Sequence, residues 1–294
     1  MEQEEFENYK EAGRIGKEIR EYLKNFIKPK MKLIDIAEEV DKKIEEYGVK
    51  PAFPINLSLN EIAAHSTPPL NDETLAEGLL KIDFGIEKNG YFSDLAFTLD
   101  LTPDNQFKEM IELNKEILEK TLNSLNYHSE VKDIGNSISK LLENKNFNII
   151  KNLTGHSLGK YQIHTDPSIP NTPNEDKTQL KEKVIAVEPF LTTGIGEVVE
   201  GKLSEIFILQ NSKNIRDSES RKILNFIEEE YKTKPFCKRW LDKKGFKTNF
   251  ALKNLVREGI LYNFPVLIEK SKSPVSQFEE TIIFHNGEKI ITTK

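Results

Sequence analysis

The chain has 294 residues, 31% charged and 37% hydrophobic, which suits a globular protein with one large core or a core carrying a subdomain. A net charge of −6 argues against nucleic acid as substrate, and a lone cysteine, Cys237, excludes an internal disulfide and favours a reducing compartment. The start, Met1-Glu2-Gln3-Glu4-Glu5, lacks the basic and apolar segments of an export signal, and no apolar run nears the ~20 residues that span a bilayer, so a cytoplasmic protein without a membrane partner is expected.

Apolar residues at helical spacing, Phe6, Tyr9, Ile15, Ile19, Leu23 and Phe26, predict a helix over 2–28 that ends before Pro29. A second helix puts Leu33, Ile36, Val40 and Ile44 on one face and stops at Gly48. Residues 79–86 and 91–100 read as strands joined through Lys88-Asn89-Gly90, a hairpin signal. Helices follow at about 104–125 and 130–145, then strands at 184–190 and 203–209. Two rounds of helices and strands suggest a duplicated α+β unit whose halves share one sheet. Residues 213–262 turn charged and helical, with Ile223, Leu224, Phe226, Ile227, Leu252, Leu255 and Val256, before strand character returns at 278–284. With no Gly/Ser linker around it, that stretch reads as a helical insert subdomain within a single domain, 1–294.

Four carboxylates lie in or beside these apolar strand runs: Asp83, Asp94, Glu188 and Glu279. Most acidic side chains are solvated surface groups. A carboxylate inside a buried strand, however, is costly unless a positive charge meets it, and no Lys or Arg in the strand runs is placed to do so. With Lys88 and Asn89 as the hairpin loop, Asp83 pairs with Asp94, their Cβ atoms roughly 4.5–5.5 Å apart. A divalent cation between them relieves the repulsion. Glu279 and Glu280 alternate to opposite faces, so at most one of them can easily enter such a site. His156 lies between Gly155 and Gly159, where the backbone can approach an ion or substrate closely, and His65 and His164 sit in similar polar-apolar contexts. His128 and His285 read as surface or turn residues. Four carboxylates and one imidazole suit hard or borderline divalent ions.

Taken in order, six segments resemble the methionine aminopeptidases of the pita-bread metallopeptidase fold. They are Asn60-Glu61-Ile62-Ala63-Ala64-His65, Ile82-Asp83-Phe84-Gly85, residues 93–98 with Asp94, residues 155–164 from Gly155-His156 to Ile163-His164, Val187-Glu188-Pro189-Phe190, and Gln277-Phe278-Glu279. The helical stretch before the last glutamate and the short start resemble the type 2, archaeal-like branch. The resemblance implies an α+β, pseudo-twofold fold with a curved, mainly antiparallel sheet flanked by helices. It also implies two divalent ions, of Co, Mn, Fe or Zn, and removal of N-terminal methionine from nascent peptides by a metal-activated bridging water. Asp94 and Glu279 then hold both ions, Asp83 chelates one, and His156 and Glu188 complete the other. Glu188 is also the proton acceptor, His65 and His164 are non-ligand catalytic histidines, and Phe53, Ile163 and Phe264, with the two histidines, line the methionine pocket. A monomer and transient ribosome association are the implied assembly states. The chain departs from the family at Glu280, usually histidine, and Ser66, often tyrosine. Xaa-Pro aminopeptidases and prolidases share the ligand pattern, but usually carry a large extra domain before it, where this chain has about 50 residues. Pita-bread modules that bind RNA or protein without catalysis normally lose ligands, whereas all five ligand types are present here.

Overall fold

The computed structural model describes residues 1–294. The first apolar periodicity becomes α1 (Gln3–Phe26), opened by a Glu2/Glu5 capping box, and the second becomes α2 (Leu33–Glu46), after which Gly48 takes φ +66°. Short strands β1 (Lys50–Pro51), β2 (Asn56–Leu59) and β3 (Ile62–Ala64) lead to the long hairpin of β4 (Leu79–Lys88) and β5 (Tyr91–Asp100). The second round runs α3 (Lys108–Ser124), α4 (Val131–Leu142), β6 (Asn148–Ile149), β7 (Thr154–Gly159), β8 (Gln162–Pro170), β9 (Val184–Val187) and β10 (Phe190–Thr192). After β11 (Val198–Leu209) come α5 (Ser218–Glu230), β12 (Phe236–Cys237), α6 (Lys238–Lys243) and α7 (Thr248–Arg257). The chain closes with β13 (Leu261–Glu269), β14 (Val275–Gln277), β15 (Glu280–His285) and β16 (Glu288–Ile291). No helix is long and apolar enough to cross a membrane.

The hairpin corrects the expected register. Asn89 and Gly90 take φ +53° and +88°, the left-handed pair that a two-residue type I′ turn requires, so Lys88 pairs with Tyr91. Asp83 therefore faces Ala96, and Asp94 faces Gly85. The slip is two residues, which preserves side-chain parity: the two aspartates share a face but sit diagonally rather than side by side.

The strands also do not form one continuous sheet. Hydrogen bonding divides them into four groups: β1-β4-β2 with β5 on β4, β14-β10-β6, β12-β11-β13-β3, and β16-β15-β9-β7-β8. The halves meet through an isolated antiparallel bridge between Ala96 and Glu279, with Glu279 N–H donating to Ala96 O at 3.0 Å. Helices α1 and α2 cover the first half through Ile15, Ile19, Leu23, Ile36 and Val40. Helices α3 and α4 cover the second through Leu113, Ile117, Ile134 and Ile138. Segment 213–262 packs around its own cluster, with Ile223, Ile227, Phe236 and Leu255 against Phe207 of β11. Buried Arg239 and Trp240 tie it to α2 at Asp41, and Lys234 pairs with Glu87 of β4 at 2.6 Å.

Helix α4 lies tight against the end of β8, the strand that carries His164. A Cβ on Gly135 would stand 2.0 Å from Thr172 O and 3.0 Å from Pro170 O, both backbone atoms that cannot swing away. Gly135→Ala should therefore destabilise the protein by about 1–3 kcal/mol despite alanine's better helix propensity. Urea unfolding measures this, and a neutral or stabilising result would mean that α4 and β8 do not pack so closely.

Candidate metal centre

Strand register places the acidic residues in adjoining rows, from two strand groups, that face one cavity. Asn56, Asp83 and Ala96 are cross-strand partners, and Ala96 is bridged in turn to Glu279, so this row carries two carboxylates. Asp94, two residues from Ala96 along β5, projects from the same face. In the second half, Thr281, Ala186 and His156 form a row, and Glu188 lies two residues beyond Ala186. The duplicated architecture thus delivers Asp83 and Asp94 from one half, and His156, Glu188 and Glu279 from the other, to one place.

Ligand atoms of Asp94, His156 and Glu279 lie within 4.8 Å of one another. His156 Nε2 stands 3.5 Å from Asp94 Oδ2 and 3.9 Å from Glu188 Oε1. Its Nδ1 is 3.3 Å from Ser157 O, which can only accept, so the proton belongs on Nδ1 and the Nε2 lone pair faces the carboxylates. The buried atoms Asp83 Oδ1, Asp94 Oδ1 and Glu279 Oε1 have no hydrogen-bond partner. Unpaired acceptors turned toward one another with a free imidazole nitrogen are the donor set a divalent cation needs, and the residues fit such an ion.

Electrostatics agrees. Burial first, then the neighbouring carboxylates, pushes Asp83, Glu188 and Glu279 well above the usual acid range. Burial lifts Asp94 to about 8. Burial also holds His156 down at about 4 and, with help from His156 and His65, His164 at about 3. The imidazoles are neutral, and without a cation the carboxyl cluster can be accommodated only by retaining protons.

The centre opens into a cavity of about 530 Å³ that Phe53, Ile163 and Phe264 line, together with His65 and His164. All ten site residues expected from sequence border this one cavity. Phe53 fits because Gly85, opposite Asp94, has no side chain: a Cβ there would lie 2.7 Å from Phe53 Cε1. His65, at φ +61°, packs edge-on against Phe264 at 5.1 Å and donates from Nδ1 to Pro265 O at 3.2 Å, leaving Nε2 as an acceptor. His164 stands edge-on to His156 with ring centroids 4.2 Å apart. Pro235 and Ile206, from the insert and β11, add a wall that residue-level reading did not anticipate.

Sequence alone singles out neither Gln277 nor Thr98. Gln277 Nε2 lies 3.2 Å from Asp83 Oδ2 and 3.4 Å from Glu188 Oε2, joining carboxylates of the two halves. Thr98 fixes its backbone, accepting from Gln277 N–H at 2.9 Å and donating to Gln277 O at 2.7 Å. Its place in the Gln277-Phe278-Glu279 motif was the available signal. Lys81, two residues before Asp83, is a fully buried cation within the strand run. It nevertheless donates to Asn60 O at 2.7 Å rather than to a carboxylate, so it leaves the cluster unneutralised.

A sequence model of metallopeptidase family M24 matches residues 7–216. The chain is similar to a methionine aminopeptidase of Archaeoglobus fulgidus, 42% identical with 100% of each chain covered. Two solved structures resemble it in fold. A thermophilic Arx1 gives a TM-score of 0.83 at 19% identity, covering 99% of this chain and 91% of that one. A methionine aminopeptidase of Thermotoga maritima gives 0.71 at 21%, covering 100% and 98%. Likeness at those identities concerns the fold alone.

Because the folded, metal-free form keeps protons that the unfolded chain releases, its stability should fall as pH rises from the ordinary carboxylate value of 3.8 toward Asp94's value of about 8. A divalent cation displaces those protons, so it should stabilise more at pH 8 than at pH 5. Melting of chelator-stripped protein at both pH values, with and without Mn²⁺, measures the difference. Equal metal-induced gains would mean that the ion is not binding these carboxylates.

Proposed function

This chain is a member of metallopeptidase family M24, and from that membership we propose that its cavity releases methionine from the N-termini of peptides by metal-dependent hydrolysis. The observation that carries the reading is the convergence of four carboxylates and the His156 imidazole on one cavity that Phe53, Ile163 and Phe264 also line. On this reading Asp94 and Glu279 would hold both of two ions, Asp83 would hold one, and His156 and Glu188 the other. Mn, Fe, Co and Zn all suit such N/O donors. When bound, divalent ions supply Lewis acidity toward the scissile carbonyl and a more acidic water.

The chain's own groups do the rest. Glu188 accepts the proton of the attacking water at a carboxylate oxygen and returns it to the leaving amine. Neutral His164 donates a hydrogen bond to the carbonyl oxygen as it gains charge, and its depressed pKa keeps it from adding a cation beside the metals. His65 offers Nε2 to a substrate N–H, because its Nδ1–H is committed to Pro265. The aromatic and aliphatic walls hold the thioether and exclude water. The substrate's α-amino group faces the carboxylates, which limits attack to the first peptide bond. Nascent chains are the natural source of such termini.

Release of methionine from Met-Ala-Ser by metal-reconstituted protein, with an Xaa-Pro dipeptide as control, tests the activity. Glu188→Ala and His156→Ala should abolish turnover. His164→Ala should lower kcat by about 10²–10³-fold with metal content retained. Wild-type rates in the first two variants would overturn the centre, and metal loss in the third would overturn its non-ligand role.

A further inference from the structure

On the reverse side of the carboxylate rows lies a pair of charges without a role in the reaction above. Glu280 follows Glu279 and so projects from the opposite face of the strand, where its cross-strand partner is Val187, the residue before Glu188. Its Oε1 accepts from Arg20 Nη1 at 2.8 Å, and Arg20 Nη2 donates to the Thr293 carbonyl at 2.5 Å. The Arg20 and Glu280 side chains are 8% and 13% exposed. Glu21, 54% exposed, makes a looser ion pair with Arg20 Nε at 3.6 Å, and water screens that pair where it does not screen Glu280. A permanent cation and an extra anion are therefore enclosed together, one strand thickness behind Glu279 and Glu188.

We infer that Arg20 and Glu280 form a charge-balancing pair that positions the ligand strand and sets the affinity of the centre for divalent cations. The inference rests on the metal-binding reading given above. A guanidinium does not lose its proton, so Glu280 must cancel it if the centre is to hold dications close by. Arg20 in turn lets the chain entering β15 carry two consecutive glutamates, Glu279 toward the cavity and Glu280 toward α1, without adding a fifth uncompensated carboxylate to the cluster. Because the pair lies off the cavity, it acts through the field and through the seating of β15 on α1, and touches neither substrate nor ion.

The test compares wild type, Glu280→Gln, and the double variant Arg20→Met/Glu280→Gln, all chelator-stripped. Mn²⁺ affinity is read by calorimetry and by competition with a metallochromic chelator, and melting is recorded in parallel. Glu280→Gln keeps the shape but leaves the guanidinium without its buried counter-charge, with only solvent-screened Glu21 to offset it, so Mn²⁺ should bind at least about tenfold more weakly. Removing Arg20 in that background should bring the affinity back to within about threefold of wild type, since no net charge then remains. A merely structural role would lower melting temperatures without this loss and recovery of affinity. Unchanged affinity in Glu280→Gln, or a double variant that binds no better than it, overturns the inference. Wild-type protein that binds no Mn²⁺, Co²⁺, Fe²⁺ or Zn²⁺ overturns the reading of the centre itself, which separates the two failures.

Discussion

Four carboxyl groups buried together repel one another, and the architecture is organised around holding them there. Ionised carboxylates at such distances in a water-poor interior cost several kcal/mol each unless protons or cations offset them. The fold meets that cost with rigidity. The Asp83–Ala96–Glu279 row is set by backbone pairing, Thr281 Oγ1 clasps the Asp94 backbone by accepting from its N–H and donating to its carbonyl, and Gln277 spans Asp83 and Glu188. Each device fixes a carboxylate through backbone or amide contacts and leaves oxygens free toward the cavity. Protein cations are kept away from those oxygens: Lys81 turns to Asn60 and Arg20 to Glu280.

The histidines divide their labour by tautomer. His156 and His65 both place a proton on Nδ1, because each faces a backbone carbonyl there, and both therefore present Nε2 as an acceptor. In His156 that lone pair meets the carboxylate cluster, where a cation can use it. In His65 it meets the part of the cavity beside Phe264, where a substrate N–H can use it. The same local rule, a ring nitrogen committed to a carbonyl, leaves one free acceptor among the carboxylates and another beside the aromatic wall. His164 has no such carbonyl, and its neutrality comes from burial and its neighbours.

Much of this centre was legible in the sequence because strand parity survives small errors. The hairpin register was misjudged by two residues, since Asn89-Gly90 rather than Lys88-Asn89 forms the turn, yet Asp83 and Asp94 still share a face. Alternation likewise separated Glu279 from Glu280 correctly. Long-range pairing was not legible. Nothing local links Ala96 to Glu279 or Arg20 to Glu280, residues separated by most of the chain, and the expectation of a single shared sheet gives way to four groups, with β5 bridged through Ala96 to Glu279 just before β15. Gln277 escaped notice because an uncharged amide gives no sign of burial cost, and its value lies entirely in what surrounds it.

The placement of the insert follows from the same economy. Its helices build a separate apolar cluster, yet it reaches the main body through buried or partly buried charged contacts, Arg239 and Trp240 with Asp41 and Lys234 with Glu87. Such pairs are directional, and removing one partner strands a buried charge, so they fix orientation more strictly than an apolar seam of equal area. Orientation matters because β12 of this segment hydrogen-bonds to β11, whose Ile206 lines the cavity beside Pro235. A tilt of the insert would move that wall relative to Phe264 on the neighbouring strand β13 and change the width available to a side chain. The carboxylate wall of the cavity is thus held by strand register and the Ile206–Pro235 wall by ion pairs between the insert and the main body. Variation in the insert can therefore reshape what the cavity admits while leaving the carboxylate rows in place.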